Sequence, residues 1–387
     1  MPATSPRTPD PAPAGVFLLA TCQAGAEETL VSRLGAALPG ATRGAWRRGL
    51  VSFRLPPGAP PTSGDLDRLR GRTVFARTLL HSFGQARWND DAGRAAAIRA
   101  LLPPARFDAI HCFPRDLRGL AAADVATAEA TAAARATLAD LLPMARVGAA
   151  APGEVVLDCV VDEADRWWLG WHRASAPATL VPGGFHPGDL PGDKVSRAWL
   201  KLDEAIATFG IDFGGGTACE FGASPGGACQ RLHEAGLGVV AVDPALVDPV
   251  VASLPRFTQW RKRARDVPLR DLAGFDWVLT DMNIDPTSTM EALARAVTAP
   301  GSRVRGIVAT LKLPEWSRAE ALDGWLDEFR EWGFEPEARQ LSTGGREVCV
   351  FARRTGPAGR RPTPPAAERG VRKPSRRPRR ATRRPDR

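Results

Sequence analysis

The sequence predicts a two-domain α/β protein, with a Rossmann-like, doubly wound sheet in residues 185–355 and an α+β domain before it in residues 15–180. Two observations carry this prediction. Short apolar runs alternate with helical segments in the second half, which is the rhythm of parallel βαβ units. A glycine-rich turn at residues 220–227 follows one of these runs, where such folds bind a ligand. The Pro- and Gly-rich segment 182–191 is the expected linker.

The front half alternates short apolar runs with helical stretches. We expect strands at 15–20, 50–54, 107–113, 154–161 and 167–171, and helices near 27–37 and 121–142. This order is typical of an α+β domain with antiparallel pairing. Trp167, Trp168 and Trp171 could stack on nucleic-acid bases, but in a strand such residues are more often core aromatics. His111 and His172 are interpreted as structural, and no ligand cluster stands out in this half.

The back half contains the elements of a parallel sheet. We expect a helix over 194–209, a strand at 218–221, a helix to 235, and strands at 238–243, 276–281, 306–312 and 347–351. Asp281 and Lys312 end two of these strands. Because the carboxyl ends of parallel strands meet at one edge of the sheet, we expect both side chains at the ligand-binding edge.

The glycine-rich turn predicts a nucleoside-binding loop. Gly222, Gly226 and Gly227 allow the backbone to approach a ligand and begin a helix. The turn is not GxGxxG, so a ligand without a pyrophosphate is favoured over a dinucleotide. Asp243 lies 21 residues after Gly222, at the end of the next strand, where a carboxylate can bind ribose hydroxyls. Asp266 lies in a third loop that could reach an adenine amino group, although a solvated loop acid explains it equally well.

Together these motifs resemble the FtsJ-like ribose 2′-O-methyltransferases. That family pairs Ser-Arg-x-x-x-Lys-Leu, a Gly-x-x-Pro-Gly-Gly turn, Asp-Met, a strand lysine and a late Glu-Val. The same motifs stand here in the same order, at residues 196–202, 222–227, 281–282, 312 and 347–348. The resemblance covers about residues 185–354 and is greatest to the branch that acts on large-subunit ribosomal RNA. The continuation after Asp-Met, at 283–286, departs from the usual pattern.

The resemblance implies a fold, a cofactor, a substrate and roles for residues. The fold would be a methyltransferase domain that uses S-adenosyl-L-methionine, preceded by a THUMP-like RNA-binding domain. The catalytic set would be Lys201, Asp281, Lys312 and Glu347. The cofactor-binding residues would be Ser196, Gly222, Ser224, Pro225, Gly226, Gly227, Asp243, Asp266 and Asp281. The substrate would be 23S rRNA or a large-subunit precursor, and the product a 2′-O-methylcytidine in the peptidyl-transferase region.

Transfer of a methyl group to a ribose hydroxyl requires a base that removes the hydroxyl proton. A free lysine, with a pKa of about 10.4, is a poor base at neutral pH. We expect Lys201 to lie near Lys312, so that like-charge repulsion lowers the pKa of one of them. Lys312 is then the candidate base, Asp281 orients it, and Lys201 and Glu347 hold the ribose and its neighbours.

The net charge of +9 is concentrated at the carboxyl end. Residues 356–387 hold twelve Lys or Arg and two acids, which leaves the rest of the chain with a net charge of −1. This Pro- and Arg-rich tail is expected to be disordered, as are residues 1–14. The tail either attracts RNA phosphates without reading sequence or is a solubilising or drifted terminus. The rest of the chain, which is nearly neutral, must then bind RNA through local patches of positive charge.

Composition argues against several other classes of protein. The six cysteines form no CxxC pair, so we expect neither a disulfide framework nor a metal site. No run approaches the roughly 18 apolar residues that a membrane span needs, and we expect a cytoplasmic protein.

Four alternative functions remain: a 2′-O-methyltransferase for another RNA, an inactive RNA-binding or assembly factor, an NAD oxidoreductase and an RNA base methyltransferase. The intact polar set argues against the second, and the missing GxGxxG against the third. The loop at 281–284 lacks the Cys or Asn/Asp-Pro-Pro-aromatic pattern that base methylation would usually need.

Overall fold

The computed structural model describes residues 8–11, 17–58, 60–116 and 121–356, without the side chains of 121–127. The predictions about residues 1–14 and about the basic tail fall almost wholly outside these ranges. The described residues form two sheets.

The first sheet has eight strands in the order β2-β3-β1-β4-β8-β7-β5-β6. Its elements are β1 (Phe17–Thr21), α1 (Glu27–Ala37), β2 (Thr42–Arg47), β3 (Leu50–Arg54), α2 (Ser63–Thr73), β4 (Thr78–Arg87), α3 (Asp91–Arg99), β5 (Ala109–Pro114), α4 (Ala121–Leu141), β6 (Arg146–Val147), β7 (Val155–Glu163) and β8 (Arg166–Arg173). The expected antiparallel pairing is wrong at one place, because β5 runs parallel to both β6 and β7. The physical reason is α4, which connects β5 to β6. Its 21 residues carry the chain back to the end of the sheet at which β5 began, as a connection between parallel strands requires.

The three tryptophans of β8 belong to the core of this sheet. Trp167, Trp168 and Trp171 are all buried, and Trp168 Nε1 donates to Asp162 Oδ2 at 3.2 Å. Side chains packed in this way have no face free for a nucleic-acid base, so the interpretation as core aromatics is confirmed.

The second sheet has seven strands in the order β11-β10-β9-β12-β13-β15-β14. Its elements are α5 (Ala198–Phe209), β9 (Thr217–Phe221), α6 (Gly227–Glu234), β10 (Gly238–Val242), α7 (Pro249–Ala252), β11 (Phe257–Trp260), α8 (Leu269–Leu272), β12 (Trp277–Thr280), α9 (Pro286–Val297), β13 (Gly306–Lys312), α10 (Leu322–Glu331), β14 (Phe334–Arg339) and β15 (Glu347–Arg354). Strands β9 to β13 are parallel, and β15 is antiparallel to both of its neighbours.

Helices cover both faces of this sheet. Consecutive strand residues such as Val278 and Leu279 enter different apolar cores, as the pleat of a strand requires. One core contains residues of α5, α6 and α7, and the other contains residues of α8, α9 and α10. The doubly wound, Rossmann-like fold is therefore confirmed.

The front sheet packs beside the strands that carry Lys312 and Glu347. Phe75 belongs to the same apolar core as Phe329 of α10, and its ring meets Trp316 edge-on at 6.2 Å between centroids. The backbone of Gln340, just after β14, donates to Val74 O at 3.1 Å. The α+β domain is thus fixed next to the carboxyl end of β13.

Candidate active site

Four side chains from four elements form a closed ring of alternating charge. Lys201 lies on α5, Asp281 follows β12, Lys312 ends β13 and Glu347 begins β15. Lys201 Nζ lies 3.1 Å from Asp281 Oδ2 and 2.9 Å from Glu347 Oε1. Lys312 Nζ lies 2.7 Å from Asp281 Oδ1 and 2.5 Å from Glu347 Oε2. The ring has no net charge, and each lysine is held between the same two carboxylates.

The direction of β15 explains why Glu347 reaches this ring. Strand β15 pairs antiparallel with β13, and Lys312 lies directly opposite Glu347. The first residue of β15 therefore meets the carboxyl end of β13, where Asp281 also lies after the neighbouring parallel strand. A parallel last strand would have placed Glu347 at the opposite edge of the sheet.

The carboxylates control the charge state of the ring. Burial lowers the pKa of Lys201, but Asp281 and Glu347 outweigh it and raise that pKa to about 12. Burial raises the pKa of Glu347, but Lys201 and Lys312 outweigh it and hold that pKa below its usual value. Lys201 is therefore not the lysine whose pKa is lowered, because its ammonium contacts two carboxylates.

A cleft of about 640 Å³ adjoins the ring at the carboxyl ends of β9, β10 and β12. Gly222, Ser224, Asp243 and Asp281 line it, and all four are among the residues that the sequence analysis expects at the cofactor. Asp243 Oδ2 accepts a hydrogen bond from the backbone of Ser224 at 3.1 Å, so that carboxylate faces the glycine turn. Gly222 has a φ of +78°, and a Cβ there would lie 2.7 Å from Met282 Cγ. Asp281 is shared by the cleft and the ring.

The rest of the glycine turn shapes the start of α6 and does not line the cleft. The residues of the turn that lie outside the cleft lining are Pro225, Gly226 and Gly227. A Cβ on Gly227 would lie 2.3 Å from Ser196 Oγ, so the residue must be glycine for the segment before α5 to pack there. Ser196 Oγ itself is buried without a hydrogen-bond partner, which is consistent with a contact to a bound ligand.

The structure does not bring Asp266 to the cleft. Its neighbours Arg263, Ala264 and Arg265 line the cavity, whereas Asp266 ends a short 3₁₀ helix and lies 3.9 Å from Arg265 Nε in solvent. Asp266 is thus exposed beside the cleft and does not line it, and the adenine contact through Asp266 stays a prediction.

Two buried acids were missed by the sequence analysis. Glu220 is the last residue but one of β9 and lines a small cavity beneath the ring, with Lys201 and Asp281. Burial raises the pKa of Glu220 to about 8, and Cys229 Sγ donates to its Oε2 at 2.8 Å. Glu204, on α5, accepts hydrogen bonds from the loop that precedes Glu347. The sequence signal that could have identified both residues is an acid among apolar neighbours, within a strand for Glu220 and on a helix face for Glu204.

A second polar cluster lies in the front sheet. His111, Asp158 and His172 come from β5, β7 and β8, and one ligand atom of each lies within 4.8 Å of the others. All three are buried, and His172 also bonds Asp158 and the carbonyl of Thr179. Sequence spacing could not reveal this cluster, because neighbouring strands bring together residues up to 61 positions apart.

No helix within the described ranges is long and apolar enough to span a membrane.

The sheet order, the cleft beside the glycine turn and the Lys-Asp-Lys-Glu ring are those of a Rossmann-like, S-adenosylmethionine-dependent methyltransferase domain. The profile of the FtsJ-like methyltransferase family matches residues 194–313. Over 346 residues the chain is 28% identical to ribosomal RNA large subunit methyltransferase M of Halorhodospira halophila, covering 86% of this chain and 95% of that protein. The protein of the same name from Marinobacter nauticus is 32% identical over 152 residues, covering 38% of this chain and 40% of that protein.

Among solved structures, TrmN from Thermus thermophilus is similar to this chain with a TM-score of 0.33 and 18% identity, covering 87% of this chain and 99% of that one. The cofactor of this class is S-adenosylmethionine. Its chemistry fits the cleft, because Asp243 offers a carboxylate for ribose hydroxyls and the unpartnered Ser196 hydroxyl adjoins the glycine turn.

Proposed function

We propose that this protein transfers a methyl group from S-adenosylmethionine to the 2′-hydroxyl of a cytidine in 23S rRNA, in the peptidyl-transferase region. The observation that carries the proposal is the ring of Lys201, Asp281, Lys312 and Glu347 beside the cofactor cleft. Both relatives are named as methyltransferases of large-subunit ribosomal RNA, which supports the substrate class. The four-residue motif of the FtsJ-like family supports the ribose hydroxyl as the acceptor.

Asp243, Gly222 and Ser224 would hold the cofactor at the carboxyl ends of β9 and β10. S-adenosylmethionine supplies a methyl group on a positively charged sulfur. Asp281 lines the cleft and also contacts both lysines, so it links cofactor binding to the position of the ring.

Lys312 is assigned as the base because Lys201 and Glu347 fit that role less well and Asp281 is assigned to orient it. Lys201, with a pKa raised to about 12, keeps its proton at neutral pH. Glu347 has a lowered pKa and is therefore a weak base. Once Lys312 Nζ has lost its own proton, it accepts the proton of the ribose hydroxyl as the oxygen gains the methyl group. Asp281 and Glu347 then stabilise the ammonium that forms. Proton transfer of this kind typically contributes about 10²–10⁴-fold to the rate.

The α+β domain, residues 15–180, is assigned to RNA binding and residues 185–355 to catalysis. The contacts of Phe75 with Trp316 and of Val74 with Gln340 support this division of labour. They hold the front sheet beside the loops that flank Lys312 and Glu347, so that RNA bound by one domain would be presented to the other.

The test is methyl transfer from radiolabelled S-adenosylmethionine to unmodified 23S rRNA, followed by nucleoside analysis. We expect label in 2′-O-methylcytidine with the wild type and none with Lys312→Ala. Lys194→Ala is the matched control, because Lys194 pairs with Asp193 and Glu234 and lies over the Trp199 ring, outside the catalytic ring. Cofactor binding should survive in both variants. Label in a different nucleoside, or full activity of Lys312→Ala, would contradict the proposal.

A further inference from the structure

A run of basic residues borders the cofactor cleft on the side away from the ring. Arg261, Lys262, Arg263 and Arg265 follow β11, and no other five-residue window before residue 357 contains four Lys or Arg. Three of the four are exposed, and Lys262 is half-buried with its ammonium 5.8 Å from the Trp260 ring centroid.

This basic run is poorly neutralised by the rest of the fold. The acid in contact with it is Asp266, whose carboxylate lies 3.9 Å from Arg265 Nε in solvent. Within the described ranges, the side chains of Arg261 and Arg263 make no ion pair with an acid. Exposed guanidinium groups without acidic partners are the usual donors for phosphate oxygens. The run therefore presents several free donors at one site.

Its place in the fold connects it with the reaction. The loop after β11 lies at the same edge of the sheet as the loops after β9, β10 and β12, because these strands are parallel. Strand β11 is separated from β13 by four steps in the strand order. At about 4.8 Å a step this is roughly 19 Å. A short segment of RNA can span that distance along the edge from a ribose at Lys312.

The charge of the whole chain makes a local patch necessary. The +9 total is more than accounted for by residues 356–387, and the remaining body has a net charge of −1. Such a body has no long-range attraction for RNA, so its own contribution to affinity, apart from that of the tail, must come from a local concentration of cations. The run after β11 is the densest one before the tail.

We propose that Arg261, Lys262, Arg263 and Arg265 form a second RNA-binding surface, which holds backbone phosphates of the substrate RNA on the methyltransferase domain. This surface rests on the proposed function, since it presumes an RNA substrate. It binds phosphates without reading bases, and it orients the strand that passes across the mouth of the cleft.

The test measures the salt dependence of RNA binding by the full-length protein, with unmodified 23S rRNA transcript as the probe. Arg261→Ala/Lys262→Ala removes two charges from residues that do not line the cleft. Arg303→Ala/Arg330→Ala is the control, because it removes the same charge from the amino-end edge, before β13 and β14. All three proteins keep the carboxyl-terminal tail, so its contribution cancels.

We expect the slope of log affinity against log salt to become less steep by about 1.4 in Arg261→Ala/Lys262→Ala, since each single-strand phosphate contact contributes about 0.7. The control should keep the wild-type slope, and S-adenosylmethionine should bind all three equally. A wild-type slope in Arg261→Ala/Lys262→Ala, or an equal loss in the control, would overturn the surface and leave the proposed function intact. If the wild type neither binds nor methylates the transcript, the proposed function itself fails, and this surface fails with it.

Discussion

Lys312 and Glu347 lie directly opposite each other across β13 and β15, with Lys312 Nζ 2.5 Å from Glu347 Oε2. The same carboxylate contacts Lys201 Nζ through its other oxygen. Glu347 therefore sets the spacing of the two lysines, and it supplies half of the negative charge that keeps the ring neutral.

Replacing Glu347 by glutamine should lower the turnover number by about 10²–10⁴-fold, the range in which general-base catalysis contributes. Glutamine keeps the shape of the side chain, but it leaves two ammonium groups facing one carboxylate. Steady-state methylation of 23S rRNA checks this expectation, with calorimetric measurement of S-adenosylmethionine affinity, which should not change. Glu335→Gln, on the exposed face of β14, is the control. Equal turnover in the two variants would remove Glu347 from the catalytic set.

The order of the central elements could be predicted because each strand from β9 to β13, except β11, is an apolar run that ends in a turn or a polar residue. Strands β11 and β14 were missed, and both are edges of the second sheet. Strand β11 is only partly buried and β14 alternates buried and exposed residues around Pro336, so neither has the continuous apolar run of a central strand.

The site likewise has residues that the local sequence predicts and properties that depend on contacts between distant residues. Gly222, Asp243, Asp281 and Lys312 could be placed because strand ends and a glycine turn specify them locally. The charge state of Lys201 could not, because it depends on the contact of one ammonium with two carboxylates that lie 80 and 146 residues away. The buried partner of Cys229 likewise depends on packing between α6 and β9.

Asp243 should contribute to cofactor affinity, and Asp266 should not. We expect Asp243→Asn to weaken S-adenosylmethionine binding by about 2 kcal/mol, roughly thirtyfold, which is typical of hydrogen bonds made by a charged group. Asp266→Asn should bind the cofactor as the wild type does, because Asp266 does not line the cleft. Isothermal titration calorimetry of both variants with S-adenosylmethionine measures these affinities. Weaker binding by Asp266→Asn would support the adenine contact expected from the sequence.

Gly25 and Gly35 provide a test of the contact between the two sheets. Gly25 has a φ of +97°, and a Cβ there would lie 2.7 Å from Trp316 Nε1, whereas a Cβ on Gly35 of α1 would meet open space. Gly25→Ala should therefore lower the free energy of unfolding by about 1–3 kcal/mol. Gly35→Ala should raise it by about 0.5–1 kcal/mol, since alanine is preferred within a helix.

Urea unfolding of the two variants beside the wild type measures these changes. Trp316 follows Lys312 by four residues, so displacement of its ring in Gly25→Ala should also reduce turnover. Wild-type stability of Gly25→Ala would show that Trp316 moves aside at no cost and that the contact does not fix the loop.

Glu220 should make the stability of the protein depend on pH between about 4.5 and 8. Its pKa is raised from 4.5 to about 8, mainly by burial, so the folded state binds more protons than the unfolded state in this range. The stabilisation is present in full below pH 4.5, and it is lost as the pH rises through 8.

Glu220→Gln removes this titration but keeps an oxygen that can accept the hydrogen bond from Cys229. The melting temperature of Glu220→Gln relative to wild type should therefore rise steadily from pH 5 to pH 8, when both are measured in the same buffers. Glu335→Gln, with an exposed side chain, should show a constant difference from wild type. If Glu220→Gln also showed a constant difference, the carboxyl group would carry the same charge in the folded and unfolded states. It would then be ionised at neutral pH beside Asp281, and the pocket beneath the ring would hold one more negative charge than we infer.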